Sequence, residues 1–304
     1  MSNFTNIVSA SIVVYNNLFS EIESLINVLH SVRIKTYIID NSAQNDIQSY
    51  LPSDINIEYI FTGKNLGYGK AHNIAINKSI DNKYKYHIVL NPDIEAKQIV
   101  FEELYQFMES NTNTGLSMPD IVYPNQKRQH LCKLLPTPFD LFFRRFIPIR
   151  QFKCIHNKTF ELRGADYTKS FNVPSLSGCF MFMRISTLEK TGLFDENIFM
   201  YCEDIDLSRR IGQISETRFV PTHPVIHQYN KESYRSKKLL KFHINSAIYY
   251  FNKWGWFFDR ERRKLNKKTL AFVYSKGNCS ENKVSFSYSN ESNLQFKGAK
   301  NVHN

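Results

Sequence analysis

The chain has no pair of cysteines spaced as Cys-x-x-Cys. Its five cysteines, Cys132, Cys154, Cys179, Cys202 and Cys279, are odd in number and scattered. Neither a disulfide scaffold nor a zinc site is indicated by that pattern. No apolar run approaches the roughly 20 residues of a membrane span. The opening segment MSNFTNIVSASIVVY lacks the charged start and the cleavage site of a secretory signal. There is no Walker loop, no GxGxxG fingerprint, no internal repeat, and no RNA-binding or helix-turn-helix signature. The expectation is a cytoplasmic chain, with contact to a membrane surface left open.

What is present is a large apolar fraction and an uneven charge. Of 304 residues, 42% are hydrophobic and 14% aromatic, enough for one large domain or two small ones around a sizeable core. The net charge is +11, and the segment from Lys231 to Lys268 holds twelve Lys and Arg against three Asp and Glu, a surplus of nine. So localised a basic patch points to an anionic partner: nucleic acid, a phosphate-bearing substrate or an anionic membrane leaflet.

Strand and helix signals alternate through the first third. SASIVVY, KTYIIDNS, INIEYIFT and YHIVLNPD read as strands, and the stretches Leu18–Leu29, Ala71–Ile80 and Val100–Met108 as helices. Alternation of this kind predicts a parallel sheet flanked by helices, with ligands at the carboxyl ends of its strands. The pattern weakens from Pro119 to Val173. SLSGCFMFMR then reads as a strand, and a helix is expected from Glu203 to about Ile211. RFVPTHPVIHQY reads as a short strand and loop. A long helix is expected from Ser236 to Trp254 with a basic continuation to Lys268. The Ser- and Asn-rich tail after Ser275 carries no structural signal.

Several polar clusters follow strands. Asp40, in YIIDNS, could accept hydrogen bonds from a base or ribose, or cap a turn. In GKNLGYGKAHN, Gly67 and Gly69 permit a tight turn before a helix whose N-terminus can face an anion, with Asn65, Lys70 and Asn73 as added donors. In VLNPDI, Pro92 ends the strand and sets Asp93 at its carboxyl end. A hard divalent cation would accept that carboxylate together with phosphate oxygens; a strand-to-loop turn is the alternative. FMYCEDIDLSRR gathers Glu203, Asp204 and Asp206 within four positions. On a helix Glu203 and Asp206 share a face and Asp204 points elsewhere. The cluster is either an acidic first turn favoured by the helix dipole or a general base whose apolar approach, FMYC, raises its pKa. Asp206 can pair with Arg209 or Arg210. His223 and His227 are structural histidines unless an Asp93 cation site takes one of them. LLPTPFDLFFRRF, with Arg144 and Arg145, and SAIYYFNKWGWFFDRERRKLNKK mix aromatic and basic residues. That mixture suits either an interfacial amphipathic helix or a terminal helix packed on the core.

The order of these motifs is more specific than any one of them. A strand ending near Tyr15 and Asn16, then DNS, NLGYGKAHN, LNPDI, SGCFMFMR, the acid cluster and a downstream histidine resembles the family 2 glycosyltransferases. The resemblance covers about residues 8 to 255 and is nearest to a bacterial rhamnosyltransferase-like branch that builds O-antigen and other surface polysaccharides. It implies an inverting enzyme of the GT-A fold, a Rossmann-like mixed sheet flanked by helices, with a C-terminal helical extension. The corresponding division is a catalytic domain over 1–230, basic aromatic helices over 231–275 and a tail over 276–304.

The resemblance also implies roles. Tyr15, Asn16, Asp40, Asn65, Gly67, Lys70 and Asn91 would contact the nucleotide, Asp40 reading its base. Asp93 matches the last carboxylate of the family's DxD-type metal motif, and Asn91 stands where many members carry the first. His227 would complete the site for Mg²⁺ or Mn²⁺. Gly178, Cys179 and Asp206 would border the sugar and acceptor pocket. Asp204 matches the catalytic base, with Glu203 in support. The donor would be a nucleotide-diphosphate sugar, rhamnose favoured. The acceptor would be a polyprenyl-diphosphate-linked saccharide, met at the cytoplasmic face of the inner membrane by a peripherally bound enzyme, with no role for nucleic acid. The alternatives are a non-catalytic nucleotide-sugar-binding protein of the same fold, a nucleotidyltransferase, or a basic nucleic-acid-binding protein.

Overall fold

The computed structural model describes residues 4–52, 54–143, 157–228 and 237–275. Arg144, Arg145, Cys154, Cys279 and the tail expected from 276 onward lie outside the described residues. The central sheet has eight strands in the order β3-β2-β1-β4-β9-β6-β10-β8. β1 (Val8–Val14), β2 (Lys35–Asp40), β3 (Ile57–Phe61) and β4 (Tyr86–Leu90) are mutually parallel, as the alternation predicts. β9 (Phe180–Arg184) runs antiparallel between β4 and β6 (Thr114–Met118), so the sheet is mixed. β10 (Glu216–Phe219) and β8 (Phe171–Asn172) complete it. A second sheet joins β5 (Ile94–Glu95), β11 (Val225–His227) and β7 (Ile121–Val122).

Helices cover both faces. α1 (Phe19–Ser31) and α3 (Gln98–Ser110) bury Ile22, Leu25, Ile26, Leu29, Val100, Phe101 and Leu104 against one face. α2 (Tyr68–Asp81) covers the other, seating Ala71 and Ala75 against Tyr37 and Ile39. Being buried on both sides, β1 and β4 read as near-continuous apolar runs. The polar exceptions in β1, Ser9 and Ser11, are satisfied internally. Ser11 Oγ lies 2.7 Å from His72 Nδ1 and 2.8 Å from His87 Nε2, and Ser9 Oγ lies 2.9 Å from His87 Nδ1. Burial pushes His87 down to about 3, and burial followed by the charge of His87 pushes His72 well down. Both imidazoles are therefore neutral in the folded protein.

One boundary differs from expectation. α2 begins at Tyr68, three residues early, because Gly67 (φ +86°) turns the chain directly into it. The long helix ends at Trp254 as expected, and the basic continuation to Lys268 lies in a separate helix. α6 (Lys237–Trp254) stops at Gly255 (φ +98°), and Asp259 caps a separate α7 (Arg260–Val273) by accepting the Arg262 N–H. α4 (Ile185–Thr191) and α5 (Glu203–Ile214) complete the helices used below. No helix among the described residues is long and apolar enough to cross a membrane.

Candidate active site

Parallel strands β1 and β4 end at one edge of the sheet, and antiparallel β9 begins there. The start of β9 thus meets the end of β4: the Asn91 N–H donates to the Cys179 carbonyl at 2.9 Å. An open cleft of about 2370 Å³ lies across this edge. Tyr15 and Asn16 enter it after β1, Asn65 and Gly67 from the turn before α2, and Asn91 and Asp93 after β4. Gly178 and Cys179 enter from the start of β9, Glu203 and Asp204 from the first turn of α5, and His227 from β11. Residues far apart in sequence are brought together by the strand ends and the first turn of α5.

Three expected residues are not on the cleft wall. Asp40 is 1% exposed, and its oxygens are taken by the Ser42 N–H (2.8 Å) and the Tyr59 hydroxyl (2.6 Å). It forms the turn that was the alternative reading, and Asn41 lines the cleft instead. Lys70 pairs with Glu196 at 2.9 Å. Asp206, fully buried, accepts from Arg210 Nε and Trp254 Nε1, both at 2.8 Å, and lies 2.9 Å from Lys253 Nζ. The expected face pairing fails at the helix start. Glu203 and Asp204 lie in the terminal turn and both reach the cleft, whereas Asp206, one turn in, is covered by Trp254. His223 pairs with Glu103 on an exposed surface and plays no part.

The turn feeding α5 is unusual. Tyr201 (φ +69°) and Cys202 (φ +68°) are consecutive non-glycine residues in the left-handed region, at a cost of about 1–3 kcal/mol each. That turn aims Asp204 at β9. Gly178 N–H donates to Asp204 Oδ2 at 2.9 Å, and Ile205 N–H to Oδ1 at 2.8 Å. The Asp204 carboxyl is raised, chiefly by burial, against the opposing pull of the Gly178 N–H and then of the Lys133 charge. Glu203 is pushed well above the usual range, first by burial and then by the Asp204 charge. Its Oε2 is buried with no hydrogen-bond partner among the described residues.

Tyr68 links the two halves. Its hydroxyl donates to the Gly178 carbonyl at 2.6 Å and lies 3.2 Å from Asn91 Oδ1. Burial keeps this phenol protonated. Gly67 has a packing role: a Cβ there would sit 2.3 Å from the Phe199 carbonyl oxygen. Sequence reasoning missed Tyr68, although it lies inside a quoted motif, because nothing local marks its long-range partners.

Across the cleft, the small sheet places His227 opposite Ile94, and Gln228 N–H donates to the Asp93 carbonyl at 3.0 Å. His227 Nε2 is 3.3 Å from Asp93 Oδ1, a buried oxygen with no hydrogen-bond donor among the described residues. An imidazole nitrogen and a carboxylate oxygen meeting this way fit a divalent cation. No group of three or more His, Cys, Asp or Glu that could hold a metal occurs among the described residues. Such an ion would therefore take its remaining ligands from diphosphate and water. Asn91 supplies no charge where a second carboxylate was the family expectation.

Residues 9–192 match the family described as Glycosyl transferase family 2. That match ends before Glu203. The chain is 28% identical over 207 residues to the low-salt glycan biosynthesis hexosyltransferase Agl10 of Haloferax volcanii, covering 65% of this chain and 62% of that protein. It is 27% identical over 228 residues to the rhamnosyltransferase WbbL of Escherichia coli (71% and 81%). It is 26% identical over 206 residues to the N-acetylglucosaminyl-diphospho-decaprenol L-rhamnosyltransferase of Mycobacterium tuberculosis (62% and 62%). The chain thus spans about three fifths of the length of two of these relatives. Among solved structures, GalNAc-T7 with UDP, GalNAc and Mn²⁺ superposes with a TM-score of 0.55 at 15% identity, covering 89% of this chain and 56% of that one. The mannosyltransferase PcManGT of Pyrobaculum calidifontis, with GDP-Man and Mn²⁺, gives 0.53 at 11% identity (89% and 75%). These likenesses show the fold, which is GT-A.

Proposed function

Because the chain belongs to glycosyl transferase family 2, we propose that it transfers a sugar from a nucleotide-diphosphate sugar to a hydroxyl of a lipid-linked saccharide, with inversion at the anomeric carbon. One observation carries the reading. A carboxylate held by two backbone N–H groups, Asp204, shares a single strand-end cleft with the Asp93–His227 pair.

The roles follow from the chemistry of the pair. Glu203 and Asp204 titrate together. The two N–H donors favour the charged form of Asp204, whereas Glu203 Oε2 has none, so the shared proton rests on Glu203. Asp204 is then the ionised base that takes the acceptor hydroxyl's proton as that oxygen attacks. Direct displacement needs this one base and no covalent intermediate, unlike a retaining glycoside hydrolase. Asp93 and His227 would hold Mg²⁺ or Mn²⁺, which supplies charge neutralisation for a departing diphosphate. Asn65, Asn91 and the turn at Tyr15 and Asn16 would line the nucleotide side; Gly178 and Cys179 would border the sugar.

Two of the relatives are named rhamnosyltransferases, which favours rhamnose as donor sugar, and the name of the Mycobacterium tuberculosis enzyme favours a polyprenyl-diphosphate acceptor; surface polysaccharide synthesis, such as O-antigen, is what the motif resemblance implies. Membrane contact at the inner leaflet would come from the turn between α6 and α7. Phe257 and Phe258 are 70% and 90% exposed there, beside Arg260, Arg263 and Lys264. Co-sedimentation with vesicles containing anionic lipid tests this: binding should fall in Phe257→Ser/Phe258→Ser, and equal binding by the variant rejects the wedge.

The activity is tested by incubating the full chain and Mn²⁺ with UDP-, dTDP- and GDP-sugars and a lipid-diphosphate saccharide. A nucleoside diphosphate and an enlarged lipid product with inverted anomeric configuration are expected. Pyrophosphate release would instead identify a nucleotidyltransferase. Nucleotide-sugar binding without turnover on any acceptor tested would favour the non-catalytic reading.

A further inference from the structure

We propose that Gln129 is a positioning residue, locking His227 into the Nδ1–H tautomer so that Nε2 offers a lone pair toward Asp93. The proposal rests on the reading that Asp93 and His227 hold a cation. Gln129 lies just after β7, outside every motif noted in the sequence, and is 4% exposed.

Its amide orientation is determined by its partners. Nε2 donates to the His227 carbonyl at 2.7 Å and to the Val122 carbonyl at 3.2 Å. Backbone carbonyls only accept, so the flipped amide would set oxygen against two oxygens. Oε1 therefore faces His227, 3.0 Å from Nδ1. An amide oxygen also only accepts, so Nδ1 must carry the hydrogen. A neutral imidazole has one N–H, which leaves Nε2 as a lone pair. That lone pair looks at Asp93 Oδ1 across 3.3 Å. Two acceptors so placed repel unless a positive centre lies with them. An outer-shell partner that fixes the tautomer of a ligating histidine is what a metal site requires. The same amide ties β7 to β11, so the clamp is built into the small sheet.

The test uses the full chain with ¹⁵N-labelled histidine side chains, metal-free, at about pH 8, above the ordinary imidazole pKa of about 6.5. Two-bond proton–nitrogen spectra read the tautomer, and His227 is identified by the signal lost in His227→Asn. Wild type should show Nδ1–H. Gln129→Met should show Nε2–H or a mixture. A wild-type Nε2–H tautomer, or no change in Gln129→Met, overturns the proposal.

Mn²⁺ is then titrated and paramagnetic broadening of the His227 signal followed. Wild type should broaden at Mn²⁺ concentrations about 10- to 100-fold below those needed by Gln129→Met. Equal broadening in wild type and Gln129→Met, with Asp93→Asn unresponsive, overturns only the role of Gln129. No broadening in wild type overturns the cation reading, and this proposal with it, even where the tautomer is Nδ1–H. If Gln129→Met does not fold, the wild-type tautomer and the wild-type response to Mn²⁺ still decide.

Discussion

Glu203→Gln and Asp204→Asn should differ in activity by at least about a hundredfold, although they are adjacent and each exchanges a carboxyl for an amide of the same size. Asp204 takes two backbone N–H groups, at 2.9 and 2.8 Å, one on each oxygen. Asparagine can accept only one of them and turns a donor on the other, a mismatch of about 1–3 kcal/mol. It also cannot take a proton. Loss of a general base costs about 10²- to 10⁴-fold in rate, or about 3–5 kcal/mol of barrier. Glu203 is different, because burial and the Asp204 charge keep it protonated. Glutamine imitates that neutral form, so Glu203→Gln should keep most of the wild-type rate. The linkage gives a second readout. A carboxyl whose folded pKa is raised keeps its proton after the unfolded chain has lost it, so its presence lowers stability as pH rises past about 4.3. Glu203→Gln should remove that loss and melt higher than wild type near pH 8. The assay is nucleoside diphosphate release at saturating donor and acceptor, with a melting curve for each variant. If Glu203→Gln falls as far as Asp204→Asn while still folded, the proposed protonation of Glu203 is refuted. If Asp204→Asn stays within tenfold of wild type, Asp204 is not the base.

Gly67→Ala should lower the melting temperature by several degrees and weaken nucleotide binding, because the new Cβ would meet the Phe199 carbonyl oxygen at 2.3 Å in a left-handed backbone; differential scanning fluorimetry and nucleotide titration read both effects. Asn91→Asp adds a second carboxylate near Asp93, and should reduce the Mn²⁺ concentration giving half-maximal activity. Acid should destabilise the fold through the buried histidines. With folded values depressed, His72 and His87 take up protons only on unfolding, so stability is lost as pH falls below about 6.5, for His87 down to about 3. Urea midpoints at pH 7.5 and pH 5 should differ in that direction, and equal midpoints would refute it.

Much of this molecule was legible before any coordinates, for reasons that differ by element. β1, β2 and β4 are buried on both faces, so their apolar runs announce them. β6 escaped because Thr-Gly-Leu-Ser-Met has only two large apolar residues, and β5, β7 and β8 because two residues carry no period. In the site, Asp93 and Asp204 could be found because each follows an apolar run at a strand or helix end. Asp40, Lys70 and Asp206 could not be separated from them by residue type. What distinguishes them is the nearer partner each one has: Tyr59, Glu196 and Trp254. Gln129 left no signal, since its partner His227 is 98 positions away.

The tie between α5 and the C-terminal helices has a consequence for recombining this protein with its relatives. Arg209 is fully buried on α5 and grips Asp259 with both terminal nitrogens, at 2.6 and 2.7 Å, while its guanidinium stacks 4.1 Å from the Trp254 ring. Asp206, three residues from Glu203, is held by Trp254 and Lys253. The helix that presents Asp204 is therefore registered by residues beyond 250, whereas the family match stops at 192. A chimera joined near residue 230 would pair this chain's α5 with foreign partners, leaving buried Arg209 without its counter-charge and Asp206 with Arg210 alone. The exchangeable unit runs from the turn before Glu203 through α7, so a swap with a relative should place its seam before Phe199.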